Sequence, residues 1–208
     1  MPKKMVGSRW WAAGLLLLSG IGVVGIWRGL PERWCAISSR GGEALRLAPL
    51  STPYYLQKDP RWQNETIGGS SEPLARVGCT VCSLAMALDL YGIKTNPKEL
   101  NDFLKSNGGY NERGWLKWNS ATKFADGKVS FEYIGSPDYK RIDRALQNHR
   151  PVIAKILINQ SIPHWILIVG KERVEYLMRD PLGDGHSVRP VSFYGSKIYA
   201  IRILRAVQ

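Results

Sequence analysis

The chain has 208 residues, and its composition, 44% hydrophobic and 22% charged, is that of an ordinary globular protein. Its formal net charge is +12, but it has no run of Lys and Arg and no alternation of basic and aromatic residues, so we expect no nucleic-acid partner. Three cysteines are too few, and odd in number, for a disulfide scaffold. The charge indicates a basic domain near an anionic membrane or cell wall.

The N-terminal region divides into a short basic segment, residues 1–9, and an uncharged apolar segment, residues 10–27. A helix of that length extends ~27 Å, which is enough to cross the hydrocarbon core of a bilayer. Tryptophans at both ends of the segment fit the two water–lipid interfaces. We predict a single-pass transmembrane anchor, with a cleaved signal peptide or a buried helix as alternatives. The preceding lysines favour an extracytoplasmic domain, which would be secreted if the segment is cleaved.

Residues 28–53 are rich in Gly, Ser, Arg and Pro, and we interpret them as a linker. The domain predicted over 54–208 begins with periodic helical patterns, caps and glycine stops, which predict four helices: 79–91, 97–106, 115–125 and 136–148. Apolar and β-branched runs predict five strands: 129–134, 152–158, 165–169, 174–179 and 198–204. Because helices come first and strands cluster late, we expect an α+β fold with a helical half packed on an antiparallel sheet.

Cys79 is a candidate for chemistry because it follows Gly78 and opens the first predicted helix. The positive end of a helix stabilises a thiolate. The apolar stripe of that helix begins at Val81 and leaves Cys79 off the core face, so we expect the thiol to face a cleft or solvent. The alternative is a small buried hydrophobic residue.

His164 and Asp180 are candidates for a base and the acid that orients it. His164 begins one apolar strand and Asp180 ends the next, so two adjacent antiparallel strands would bring imidazole and carboxylate side by side. Taken singly, each has a structural alternative, and the other two histidines lie in polar turns. Gln57, upstream of the cysteine, would supply a side-chain amide that holds an oxyanion together with the main-chain N–H of Cys79.

These residues occur in segments that resemble a known family. The segments are Y-x-Q-x-D-P-x-W around Gln57, G-C-T-V-x-S-L-A-M-A-L around Cys79, R-P-V-I at 150–153, H-W-x-x-x-V-G from His164 and D-P from Asp180. Over roughly residues 54–205 the chain resembles the C39-like cysteine peptidases. The resemblance implies a papain-like fold, with Gln57 as oxyanion residue, Cys79 as nucleophile, His164 as base and Asp180 as orienting acid.

The resemblance also implies an activity: thiol-dependent hydrolysis of peptide or related amide bonds, with no cofactor or metal and with a peptide or protein as substrate. Two alternatives stay open at this point. One is a catalytically silent domain of the same fold that binds peptide or wall material, and the other is an acyltransferase that uses the same triad. The sequence does not determine the oligomeric state.

Two further sets of residues are given structural roles. Cys82 forms a CxxC with Cys79, and we expect it to pack one helical turn below; a redox pair, a zinc ligand and a disulfide to Cys35 are the alternatives. A second set comprises three tryptophans that we expect to pack in the core rather than to line a groove: Trp115, Trp118 and Trp165.

Overall fold

A computed structural model describes residues 35–207 of the chain. Its helices are α1 (Leu74–Val77), α2 (Cys79–Asp89), α3 (Pro97–Ser106), α4 (Trp118–Phe124) and α5 (Tyr139–Gln147), with a 3-10 helix at Val191–Tyr194. Its strands are β1 (Ile37–Ser38), β2 (Arg40–Leu47), β3 (Val129–Ile134), β4 (Val152–Ile158), β5 (Ile162–Arg179), β6 (Arg189–Pro190), β7 (Lys197–Ile198) and β8 (Ala200–Ala206).

The strands form one main sheet in the order β2-β5-β4-β8-β3, with β6 against β5, and a small separate pair of β1 with β7. Every pairing within the described residues is antiparallel. Helices precede most of this sheet in the chain and pack on it. The predicted α+β fold with an antiparallel sheet is therefore confirmed.

The central strands are apolar on both faces because both faces are covered. Ile153 of β4 and its partner Leu167 of β5 pack in a core cluster with α2, α3 and α4. Val152 and its partner Ile168 pack in a second cluster, which includes Ile142 of α5. A sheet buried on both faces gives continuous apolar runs instead of polar–apolar alternation, which is the pattern of β4 and of the first half of β5.

Helix α2 is enclosed along almost its whole length. Cys79 and all residues from Val81 to Leu88 are buried, because the helix contacts β4 and β5 on one side and α3 on another. A single apolar stripe therefore describes only one of its covered faces. Cys79 keeps 7% of its surface exposed, so of the two expected surroundings of its thiol, a cleft or solvent, open solvent is excluded.

Helix α4 is shorter at its start than the sequence predicts. The expected helix 115–125 begins only at Trp118, because the main-chain N–H groups of Arg113 and Trp115 donate to the side-chain oxygen of Asn111. The N–H of Lys117 donates to the Gly109 carbonyl. These bonds form a turn that competes with helix formation.

The segment interpreted as a linker, 28–53, contains β1 and β2 in its described part. Strand β2 pairs with the middle of β5, with a register irregularity between Arg40 and Leu45. Gly41 and Gly42 lie in this irregularity with φ of 153° and 73°. The composition rich in glycine and arginine thus belongs to an irregular edge strand that lacks alternation, which is why no strand was predicted there.

The predicted anchor 10–27 lies outside the described residues, as does the basic segment 1–9. Across residues 35–207, no helix combines the length and the apolar character needed to cross a bilayer.

Candidate active site

Cys79 stands at the first position of α2, directly after the glycine that separates α1 from α2. A Cβ atom at Gly78 would lie 2.5 Å from the carbonyl oxygen of Leu74, so glycine permits the close approach of the two helices. The thiol consequently sits at the N-terminal end of an 11-residue helix, where the helix dipole favours a negative charge.

His164 and Asp180 come together because β5 reverses direction. A straight strand of 16 residues would separate them by about 50 Å, yet His164 Nε2 lies 2.7 Å from Asp180 Oδ1. Arg173, near the midpoint, has a left-handed φ of 57°, and the residues beside it are exposed, as at the tip of a hairpin. The predicted side-by-side arrangement is present within one continuous run rather than between two separate strands.

The His164 imidazole links Asp180 to Cys79. Its Nε2 lies 2.7 Å from the carboxylate, and a hydrogen bond with the ring and the main-chain N–H of Trp165 both act to lower the pKa of Cys79. His164 is 2% exposed and Asp180 is 0% exposed, so water does not screen this chain of groups.

The three groups favour a thiolate–imidazolium pair. Burial raises the pKa of Cys79, but the hydrogen bond and the charge of His164 outweigh burial and lower that pKa below its ordinary value. Burial lowers the pKa of His164, but hydrogen bonds with Asp180 and Cys79 outweigh burial and raise it to about 9. Burial raises the pKa of Asp180, and the bonds from His164 and Tyr194 outweigh it, so the carboxyl is held ionised.

Further bonds hold the Asp180 carboxylate. Its Oδ1 also accepts the main-chain N–H of Leu182 at 2.9 Å, and its Oδ2 accepts the Tyr194 hydroxyl at 2.5 Å. The main-chain N–H of Asp180 donates to the Tyr54 hydroxyl at 3.2 Å. Neither tyrosine was a candidate from the sequence, because tyrosines at these spacings carry no local signal of a role.

Gln57 lies between the two halves of the site. Its main-chain N–H donates to the carbonyl of Pro181, directly after Asp180, at 3.0 Å. Its side-chain Nε2 donates to the carbonyl of Ala75 in α1, just before Cys79, at 2.7 Å. The Oε1 of this buried amide has no hydrogen-bond partner among the described residues. One N–H of the amide is thus held by the Ala75 carbonyl, and the NH2 group has a second N–H for another acceptor.

Cys82 behaves as a packed thiol. It is 0% exposed, and burial raises its pKa well above the ordinary value, the reverse of Cys79. All three cysteines, including Cys35, are free in the described structure. The expectation that Cys82 packs below Cys79 agrees with this burial.

The remaining candidates lie away from the ion pair or on the surface. His149 and His186 are exposed, and His186 contacts only the turn at Asp184. Trp118 and Trp165 are half-buried, with ring centroids 5.9 Å apart. Trp115 is 63% exposed, so the expectation that it packs in the core is wrong; the turn that delays α4 turns it outward.

Residues 49–199 match a family model described as the Peptidase_C39 like family. The chain belongs to this family. The match covers well over half of the 208 residues, and it spans the four candidate residues Gln57, Cys79, His164 and Asp180. No curated protein sequence matches the chain.

Solved structures with a similar fold include C39-type domains. One is the peptidase domain of Streptococcus ComA, a bifunctional ABC transporter involved in quorum sensing, at 15% identity and a TM-score of 0.50, covering 76% of this chain and all of that domain. A putative C39-like peptidase from Bacillus anthracis, at 15% identity and 0.44, covers the same shares. A double-glycine-motif protease in complex with a leader peptide has 14% identity and 0.47, covering 80% of this chain and all of that one. At this identity, the ComA domain supports the C39-like fold alone.

Proposed function

We propose that this C39-like chain is a cysteine peptidase that hydrolyses peptide or related amide bonds, with Cys79 as nucleophile, His164 as base, Asp180 as orienting acid and Gln57 as oxyanion residue. The observation that carries the proposal is the buried linkage of Cys79, His164 and Asp180. The His164–Asp180 bond is 2.7 Å long. The lowered pKa of the Cys79 thiol and the raised pKa of the His164 imidazole each favour the charged form of that group.

The reaction starts from the thiolate–imidazolium pair. The Cys79 thiolate attacks the acyl carbon of the substrate, a C–S bond forms, and the carbonyl oxygen becomes an oxyanion. When this intermediate collapses, the C–N bond breaks and the His164 imidazolium gives its proton to the leaving amine. Neutral His164 then takes a proton from water as its oxygen attacks the thioester carbon. The C–S bond breaks, the carboxylic acid leaves, and the Cys79 thiolate and the His164 imidazolium are restored.

Oxyanion stabilisation is assigned to the Gln57 amide and to the main-chain N–H of Cys79. Support comes from the position of Gln57, which is bonded to Ala75 before the nucleophile and to Pro181 after the acid. A donor held by two such bonds is preorganised, and preorganised donors stabilise a developing charge without reorganisation.

The test is peptide cleavage by the full-length chain in detergent, measured by mass spectrometry on a defined mixture of peptides. Cleavage should disappear in Cys79→Ala and in His164→Ala. It should persist in Cys82→Ala, which removes the neighbouring buried thiol, and in His149→Ala, which removes an exposed histidine. Cleavage that survives in Cys79→Ala would refute the assignment of the nucleophile.

Hydrolysis and acyl transfer differ only in the second nucleophile, so the same assay is run without and with hydroxylamine, which traps an acyl-enzyme as a hydroxamate. Without hydroxylamine we expect the carboxylic acid as the product. A transferred acyl product from peptide substrates without added amine would favour the acyltransferase alternative. Peptide binding without any covalent intermediate would favour the silent domain.

Anchorage through residues 10–27 is part of the proposal. Deletion of residues 1–27 should move the protein from the carbonate-washed membrane fraction to the supernatant. In intact cells, added protease should reach the domain if it lies outside the cytoplasm.

A further inference from the structure

Tyr194 ends the 3-10 helix Val191–Tyr194 and contacts both partners of the buried His164–Asp180 pair. Its hydroxyl donates to Asp180 Oδ2 over 2.5 Å. Its ring lies edge-on to the imidazole of His164, with centroids 6.1 Å apart and planes at 69°. One aromatic side chain therefore touches the acid and the base at once.

The two oxygens of Asp180 have different donors. Oδ1 accepts from His164 Nε2 and from the main-chain N–H of Leu182. Within residues 35–207, the hydrogen bond to Oδ2 is the one from Tyr194. Because Asp180 is 0% exposed, water does not replace a missing donor without movement of the side chain. The Tyr194 bond thus fixes the rotation of the carboxylate plane.

We propose that Tyr194 is a positioning residue: its hydroxyl fixes the Asp180 carboxylate so that Oδ1 faces His164 Nε2 and the other ring nitrogen is left to Cys79. This inference rests on the proposed cysteine peptidase function and extends it. The described contacts of Tyr194 at the site are with Asp180 and His164, so its effect reaches the reaction through these two residues.

An aromatic wall supports this position from outside. Phe193 is 58% exposed, and its ring meets Tyr194 edge-on, with centroids 5.2 Å apart. The guanidinium of Arg189 lies 5.1 Å from the centre of the Phe193 ring. Phe193, Tyr194 and His164 therefore form a continuous series of edge-on ring contacts from the exposed Phe193 to the buried imidazole.

The charged and titratable groups that face the pair come from several elements. The Cys79 thiol comes from α2 and the Tyr54 phenol from the segment before the first helix. Arg189 of β6 acts on Tyr194 and Tyr54, and Asp184, in the exposed turn before β6, acts on Tyr54 rather than on the pair. Among the described residues the hydrogen bond to Oδ2 comes from Tyr194, so removal of its hydroxyl leaves these other groups in place.

The test compares Tyr194→Phe with Tyr91→Phe in the full-length chain in detergent. Tyr91 is the matched control, because its hydroxyl donates a bond of 2.6 Å to the Leu204 carbonyl of β8 rather than to the carboxylate of Asp180. The pKa of His164 is measured by NMR of 13C-labelled histidine, with the resonance assigned from His164→Ala. In Tyr194→Phe we expect the pKa of His164 to fall, with the acid dissociation constant of its imidazolium rising roughly tenfold or more. We also expect kcat to fall roughly tenfold with KM unchanged.

The inference is overturned if the pKa of His164 in Tyr194→Phe equals or exceeds that of the wild type while thermal stability falls as in Tyr91→Phe, since the hydroxyl then has only a structural role. The two proposals fail separately. If the wild type cleaves no peptide but Tyr194→Phe still lowers the pKa of His164, the peptidase function fails and the positioning stands. If peptide cleavage depends on Cys79 but is unchanged in Tyr194→Phe, the positioning role of Tyr194 is refuted and the peptidase function stands.

A second variant covers poor folding of Tyr194→Phe. Phe193→Ala removes an exposed ring that packs against Tyr194 and keeps the hydroxyl. It should lower the pKa of His164 in the same direction by a smaller amount. An unchanged pKa of His164 together with an unchanged kcat in a folded Phe193→Ala protein would equally refute the positioning role.

Discussion

The hydroxyl of Ser83 donates to the main-chain carbonyl of Trp165 over 3.2 Å, and this bond ties the helix that carries Cys79 to the strand that carries His164. Ser83 is one turn after Cys79 on α2, and Trp165 directly follows His164. The main-chain N–H of Trp165 also acts to lower the pKa of Cys79. The Ser83 bond thus helps to fix the distance between the thiol and the imidazole, in addition to the contact of the reactive groups.

Removal of this tie should weaken catalysis more than it weakens the fold. We expect Ser83→Ala to lower the free energy of unfolding by about 1 kcal/mol, the usual net value of one hydrogen bond. We expect kcat to fall roughly tenfold, because small displacements of a nucleophile from its base are costly. Urea unfolding and peptide cleavage measure the two effects. The control is Ser106→Ala, which removes a hydroxyl bond to the Asp102 carbonyl within α3. Equal kcat in both variants would exclude a role of Ser83 in the site geometry.

Peptide cleavage should show a bell-shaped dependence on pH. The pKa of Cys79 is lowered by the hydrogen bond with His164 and by its charge, so the acid limb lies below the pH at which an ordinary thiol ionises. The imidazolium of His164 must protonate the leaving amine, and its pKa is raised to about 9, so kcat/KM falls as pH rises through about 9. Both limbs are properties of the coupled pair.

The Asp180 carboxylate is one of the groups that raise the pKa of His164 and thereby place the alkaline limb at high pH. In Asp180→Asn the bond that raises the pKa of His164 is weakened, so the alkaline limb should move to lower pH by about one unit or more. Asp184→Asn is the matched control, because Asp184 lies in the exposed turn at His186. An alkaline limb that stays in place in Asp180→Asn would show that Asp180 does not set the protonation of His164.

Gln57→Ala should separate oxyanion stabilisation from activation of the thiol. Loss of one oxyanion donor lowers kcat by about 100-fold or more. Alkylation of Cys79 by iodoacetamide passes through no oxyanion, so its rate at pH 7 should stay near that of the wild type. A parallel fall in alkylation would mean instead that Gln57, through its bond to Ala75, is needed to place α2.

Gly42→Ala should test how closely β2 packs against the buried Asp143–Lys171 pair. A Cβ atom at Gly42 would lie 2.3 Å from Asp143 Oδ2, in a buried cluster where Asp143 Oδ1 lies 2.5 Å from Lys171 Nζ. Gly42 also has a φ of 73°. We expect a loss of about 3 kcal/mol in unfolding free energy, from backbone strain plus disturbance of a buried ion pair.

Gly108→Ala is the control for Gly42→Ala. Gly108 has a similar φ of 61°, but no atom lies within 4 Å of its Cβ position. Its cost should be the backbone strain alone, about 1 kcal/mol. Equal losses of unfolding free energy in the two variants would show that a side chain at position 42 does not disturb the Asp143–Lys171 pair.

Local signals in the sequence predicted most elements of the fold. The helix Pro97–Ser106 follows from its cap, because Asn96 accepts the N–H groups of Lys98 and Glu99. The strands Val129–Ile134 and Val152–Ile158 occur with the predicted bounds, since β-branched apolar runs form strands wherever they are covered. The residues proposed for chemistry were also candidates from the sequence, because their types and spacing resemble one family.

Only the tertiary structure decided what surrounds those residues. The sequence separates Tyr194 from Asp180 by 14 positions without any periodic relation, and the bond between them depends on where the 3-10 helix returns to β5. The pairing of β2 with β5 joins segments more than 120 residues apart. Burial of Cys79 likewise follows from elements on several sides of α2. Contacts of this kind leave no local pattern, because they are made by the packing of distant segments and not by the propensity of either one.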